Sequence, residues 1–320
     1  MNTICAIGVY FGKLPNYFEL WLKSAQYNPR IDFFIFTDDI VENVPENVKV
    51  VYLTIEEMKK LAEDKLQQQI VLDKPYKCCD FKPVYGVIFA DYVSDYEYWG
   101  HFDFDLIMGD LYSFLIKYNY ETYDRFMHLG HFSFYRNCER VNEYYKLPGS
   151  LVGDYKTVFS TAKSFAFDEM LGMGSIYASN KLPVFNQKIY ADISCHHKRF
   201  RLSDLCCVEG KVSNYKYQVF YWKEGKTYRS YLKNGKIFDE EFAYIHFQKR
   251  PNFNVSFDSK STDAFFIGIN GFTKKDIEVS KAAINRINPY PGFFVEFWEL
   301  QKYNMSVFTK KVKGKLGINK

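Results

Sequence analysis

Apolar positions along the chain fall into short dense runs, separated by turn residues and by stretches with helical spacing. The run TICAIGVYF (3–11), closed by Gly12 and Pro15, predicts a buried strand and a turn. NYFELWLKSA (16–25) sets Phe18, Leu22 and Ala25 on one helical face. IDFFIFTDD (31–39) and VKVVYLT (48–54) predict the second and third strands, and IEEMKKLAEDKLQQQI (55–70) a helix. DFKPVYGVIFADYV (80–93) predicts another helix, opened by Asp80 with Pro83 in its first turn. The aromatic run YEYWGHFDFDLIMGDL (96–111) predicts the fourth strand.

Beyond residue 150 the pattern loosens. FSTAKSFAFDEMLGMGSIYASN (159–180) reads as a loop running into a helix. Residues 213–250 alternate around a turn at 233–235, which predicts a β-hairpin. Residues 276–309 are helical in parts and broken at Pro289 and Pro291. This order predicts an α/β fold with a mainly parallel sheet flanked by helices, in which ligands bind beyond the carboxyl ends of the strands. Three such ends, residues 10–12, 37–39 and 103–105, carry polar or backbone-exposing residues and are expected to converge. With no repeat or Ser/Gly linker, one domain (1–250) with a C-terminal extension (251–320) is expected.

Composition sharpens the picture in three ways. Aromatic residues make up 19%, with 27 Tyr and 31 Phe, which suits stacking on a sugar or base and suits a core equally. Lys plus Arg is 42 against 38 for Asp plus Glu, a net charge of +4, too mild to imply a nucleic-acid partner. After Glu299 the chain holds lysines and no acid, a basic tail suited to anionic lipid headgroups or to a solvated terminus. The 7 cysteines include the adjacent pairs Cys78, Cys79 and Cys206, Cys207, unlike a secreted disulfide framework. Neither a signal peptide nor a transmembrane span is expected, and a cytoplasmic, reducing location is.

The chemistry concentrates in a few stretches. Asp103 and Asp105, two apart on the expected fourth strand, would project to one side and share a divalent cation. Oxygen ligands of this kind suit Mg²⁺ or Mn²⁺ beside a diphosphate. The competing reading is strand-end solvation, with Asp110 capping the next helix. In KPYKCCDFKPVYG (74–86), Asp80 suits a ribose hydroxyl and Lys82 a phosphate. In FAFDEM (165–170), Asp168 and Glu169 suit sugar hydroxyls or general-base work, or else a helix N-terminus. YIHFQKR (244–250) offers His246 as a further metal ligand and Lys249 and Arg250 for a leaving diphosphate. No P-loop or Gly-x-Ser-x-Gly elbow is present.

Taken in order, VYFGKLPNYFELWLKSAQYNP, FFIFTDD, KPYKCCDFKPVYG, YWGHFDFDLIMGDL, FDE and YIHFQKR resemble metal-dependent nucleotide-sugar glycosyltransferases of the GT-A fold. More narrowly, they are similar to bacterial capsule and O-antigen transferases. The resemblance covers roughly residues 4–250. It implies that Asp103 and Asp105 match the family's Asp-x-Asp, with His246 joining them on Mn²⁺ or Mg²⁺. It implies a nucleotide-sugar pocket formed by Tyr10, Phe11, Thr37, Asp80, Lys82, Phe104 and Lys249. Asp168 and Glu169 fall where such enzymes place the acids that meet donor sugar and acceptor. A UDP-hexose donor, with galactose (pyranose or furanose) as first guess, and a lipid-linked oligosaccharide acceptor are implied. The basic tail would then meet the inner face of the cell membrane.

The acid pair favours an inverting mechanism, in which a carboxylate base faces the leaving group, and a retaining mechanism stays open because a late histidine ligand occurs in that class too. Two rival readings remain. A haloacid-dehalogenase-like phosphatase also uses Asp-x-Asp at a strand end, but Ile107 stands where Thr or Val normally follows. A non-catalytic carbohydrate-binding protein would use the aromatic surplus without metal or nucleotide.

Overall fold

The structure is a computed structural model that describes residues 2–203, 213–248, 250 and 253–315. The chain forms two compact units: residues 1–104 with 110–189, and residues 105–109 with 190–320. The boundary expected at residue 250 falls inside the second of them.

The first unit is an α/β layer structure. Its seven-stranded sheet runs in the order Val48–Tyr52, Ile31–Thr37, Ile4–Tyr10, Tyr98–Phe102, Phe132–Arg136, Arg125–Leu129, Val184–Phe185. The first four are mutually parallel, and Phe132–Arg136 is antiparallel to both of its neighbours. Every residue of Ile31–Thr37 is buried, as expected of a parallel strand covered on both faces. The helix Phe18–Gln26 buries Leu20, Trp21, Leu22, Ser24 and Ala25, a stripe centred nearer Trp21 than the expected face, with Phe18 half-buried. A capping box between Thr54 and Glu57 opens the helix Ile55–Leu66, and Gln67 closes it at φ 51°, short of the expected residue 70.

Two expectations are corrected here. Residues 80–93 are not one helix: a 3₁₀ segment, Pro75–Val84, runs into two single turns, Tyr85–Ile88 and Ala90–Val93. Pro83 cannot donate to the turn before it, and Asp80 caps nothing because its carboxylate is engaged elsewhere. The aromatic run 96–111 is also not one strand. Tyr98–Phe102 belongs to the large sheet, whereas Leu106–Met108 pairs with Tyr244–His246 in a three-stranded sheet of the second unit. Asp103 and Asp105 therefore lie on the bend between strands, and a strand's period of two does not govern them.

Most of the aromatic surplus is core. Trp21, Trp99 and Trp222 are at most 1% exposed, and stacked pairs such as Phe36–Phe89 and Trp99–Tyr135 fill the space between layers. The second unit contains a six-stranded sheet and the three-stranded sheet Leu106–Met108, Tyr244–His246, Ala191–Asp192. Its hairpin, Lys226–Lys233 with Lys236–Phe242, turns through Asn234 (φ 50°) and Gly235 (φ 76°), the two positive values that a two-residue hairpin turn requires. Helices Lys281–Ile287 and Phe293–Lys315 flank the expected proline break. None of the described helices is long and apolar enough to cross a membrane.

Candidate active site

In the first unit the strand order reverses beside Ile4–Tyr10: the second and third strands lie on one side of it and Tyr98–Phe102 on the other. The connections leave in opposite directions there, so a crevice opens beyond the carboxyl ends. A cavity of about 380 Å³ occupies it, lined by Tyr10, Phe11, Tyr76, Lys82, Asp103, Asp168 and Glu169 among others.

Lys82 is the pivot of this cavity. Its Nζ lies 2.6 Å from Asp103 Oδ1 and 3.1 Å from Asp168 Oδ2, and it donates to the Gly130 carbonyl at 2.9 Å. Burial opposes the charge of Lys82, but the carboxylates of Asp103 and Asp168 outweigh it and hold the ammonium well above its usual range. Burial pushes Asp168 up, with Lys82 pulling it down and Asp103 pushing it up again. Asp168 Oδ1 is buried and has no hydrogen-bond partner among the described residues.

The supports of this cluster come from distant parts of the chain. The Asp103 N–H donates to the His131 carbonyl at 2.9 Å. A β-bulge between Phe126 and Leu129, with Met127 at φ 64°, precedes the Gly130 turn that meets Lys82. A methyl group at Gly130 would overlap the Asp168 carboxylate and stand 2.8 Å from Glu169 Oε1, so a side chain there is incompatible with both acids where they are. Arg125, fully buried, donates to Ser133 Oγ and to the Asp168 carbonyl at 3.3 Å.

The remaining expected pocket residues divide. Tyr10 and Phe11 line the cavity. Thr37 pairs with Tyr10 in register but is fully buried, its Oγ1 accepting from the Asp39 N–H at 3.1 Å. Phe104 is a core residue, packed on Tyr10, Phe18, Trp21 and Phe102. Asp80 is wholly enclosed, accepting from the Phe165 and Phe167 N–H groups and from Lys77. It holds the loop before Asp168 and is not open to a ribose. Lys249 lies outside the described residues. Tyr76, 74% exposed at the cavity, went unnoticed in the sequence because a lone tyrosine carries no spacing signal.

In the second unit, Asp105 Oδ1 lies 3.2 Å from His246 Nε2, and Asp192 Oδ1 lies 2.8 Å from His246 Nδ1. Gln248 Nε2 donates to the same Asp192 oxygen at 3.0 Å. Burial disfavours a charged His246, but Asp105 and Asp192 outweigh it and hold the imidazole well above its usual range. With Nδ1–H given to Asp192, Nε2 faces a carboxylate, an arrangement that only a proton or a cation between them satisfies. This donor set, carboxylate oxygen plus imidazole nitrogen with a carboxylate behind the ring, fits a divalent metal ion. Asp192 was not legible in the sequence, because nothing links it to a histidine 54 positions later.

No curated protein matches the chain in sequence. Among solved structures it is similar to the galactosyltransferase LgtC in complex with donor and acceptor sugar analogs, at 10% identity and a TM-score of 0.33, over 59% of this chain and 75% of that one. It is also similar to mouse xyloside xylosyltransferase 1 in its apo form, at 4% identity and a TM-score of 0.40, over 78% of this chain and 99% of that one. TM-scores below 0.5 establish neither a shared fold nor a shared activity, so the α/β assignment rests on the strand order and pairing. Residues 6–276 match a family of unknown function, and the chain therefore belongs to that family, DUF6625.

Proposed function

We propose that the protein is a metal-dependent glycosyltransferase of the GT-A type. It would move a hexose, with galactose in pyranose or furanose form the first to test, from a UDP-sugar to a glycan acceptor in capsule or O-antigen synthesis. The observation that carries the reading is the crevice beside Ile4–Tyr10, where Lys82 stands between Asp103 and Asp168. Such a crevice is where open α/β sheets bind their ligands, and its carboxylates, with a divalent cation bound to them, would suit a sugar diphosphate.

Asp103, Asp105 and His246 are the proposed metal ligands. When bound, Mn²⁺ or Mg²⁺ would neutralise the charge that develops on the leaving diphosphate. Lys82, released by Asp103 when that carboxylate turns to the metal, would meet the donor phosphates, and Tyr10 and Phe11 would wall the nucleoside side. The unpartnered Oδ1 of Asp168 would accept from a sugar hydroxyl. Glu169 would take the proton of the attacking acceptor hydroxyl, which makes the reaction inverting. Residues 1–250 are proposed as the catalytic domain and 251–320 as its extension. The acceptor is proposed to be lipid-linked, with the enzyme in the cytoplasm and its basic tail at the inner face of the membrane.

The test is UDP release from a panel of UDP-sugars, with Mn²⁺ and then with EDTA, for the wild type and for Asp103→Ala and Asp105→Ala. Metal-dependent release from one donor, lost in both variants, is expected. Hydrolysis of p-nitrophenyl phosphate without UDP release would overturn the reading in favour of a phosphatase.

A further inference from the structure

On the helix Phe293–Lys315 both acids and Tyr303 face the protein, while several large apolar side chains are exposed. Its two acids are used on the inner side: Glu296 pairs with Arg199 at 2.8 Å and Arg201 at 3.3 Å, and Glu299 accepts from the Lys198 N–H at 3.3 Å. Tyr303, one turn on, stacks on His196 with ring centroids 3.6 Å apart. Residues 296, 299 and 303 recur at helical spacing and define the inner face. Away from them, Phe294 is 76% exposed, Met305 57% and Phe308 68%, and Trp298, 58% exposed, stands at the rim of the groove lined by His196, Phe253 and Lys302. Apolar side chains of this size seldom gather on an exposed face without a partner.

We propose that this outward face lies in the plane of an anionic lipid bilayer, with Phe294, Trp298, Met305 and Phe308 among the headgroups and upper acyl chains. Charge selects the occupant. With both acids turned inward, the outer face carries no negative group. The chain after Glu299 adds Lys302, Lys310, Lys311, Lys313, Lys315 and Lys320 and no acid. Aromatic residues beside lysines suit an interfacial helix on anionic lipid. A second copy packed in parallel on the same face would bring two lysine runs together. The helix is not apolar enough to cross the membrane, so an in-plane position is the one open to it. This deepens the membrane contact proposed above and is independent of the sugar chemistry.

Trp298 is a built-in reporter, because Trp21, Trp99 and Trp222, the other three of the 4 tryptophans, are at most 1% exposed. The full chain is mixed with vesicles of phosphatidylcholine alone, or with added phosphatidylglycerol, while tryptophan emission and co-sedimentation are followed. Emission should shift to the blue and the protein should pellet with the anionic vesicles only, less so in about 0.5 M NaCl. The pair Phe294→Ser and Phe308→Ser should weaken the partition at least about tenfold. Absence of both shift and pelleting overturns the proposal, as does equal binding to neutral vesicles. A blue shift that grows with protein concentration without lipid, with a dimer in sedimentation, overturns it in favour of a second copy. UDP release from the same preparation reports on sugar transfer alone, so the two readings fail separately.

Discussion

Lys77 Nζ lies 2.7 Å from Asp80 Oδ2, with the two side chains 2% and 0% exposed. The ammonium also donates to the Val158 and Lys163 carbonyls, and the carboxylate takes the Phe165 and Phe167 N–H groups. This knot ties the 3₁₀ segment to the loop that leads into Asp168. Asp80→Ala would leave a buried ammonium without its counter-ion, which costs about 3–5 kcal/mol. Urea unfolding should therefore show a clear loss of midpoint for Asp80→Ala. A variant of wild-type stability that had lost only donor affinity would restore Asp80 as a ribose contact.

The Asp192–His246 contact predicts a metal effect from a residue that need not touch the metal. The carboxylate fixes the ring so that Nε2 points at Asp105. Removing such a support typically weakens metal binding about 10–100-fold. Asp192→Asn should lower Mn²⁺ affinity by that order, read from the signal of free Mn²⁺ in electron paramagnetic resonance. Unchanged affinity in the variant, with the wild type binding normally, would remove Asp192 from the site.

His128 predicts an acid-sensitive fold. It is buried, and neither ring nitrogen has a hydrogen-bond partner among the described residues. Burial, helped by Arg125 and Lys188, pushes its pKa from 6.5 down to about 4. The folded protein thus stays neutral at His128 where the unfolded chain binds a proton. Stability is kept above pH 6.5 and lost as pH falls toward 4, by up to about 3 kcal/mol. Denaturant unfolding at about pH 7 and about pH 4.5 should show the wild type losing more stability than His128→Phe. Parallel losses would show that His128 is not responsible.

The strands of the first unit were legible because buried parallel strands are nearly continuous apolar runs, and Ile31–Thr37 is buried throughout. The hairpin turn was legible because Asn234 and Gly235 tolerate positive φ at little cost. The segment from Pro75 to Val93 was misread because its composition suits a helix while Pro83 and the buried Lys77–Asp80 pair impose tighter turns. The split of residues 96–111 between two sheets was also invisible, since an apolar run does not say which neighbours its strands will find.

By itself the sequence determined the α/β order, the acids and lysine near the strand ends, and the acid-free tail after Glu299, because these depend on residue type and local spacing. Tertiary structure decided the rest. It enclosed Asp80, set Lys82 between Asp103 and Asp168, placed Asp192 behind His246, and left Phe294 and Phe308 exposed. Those outcomes depend on which distant segments pack together, and a side chain's role follows from its neighbours as much as from its chemistry.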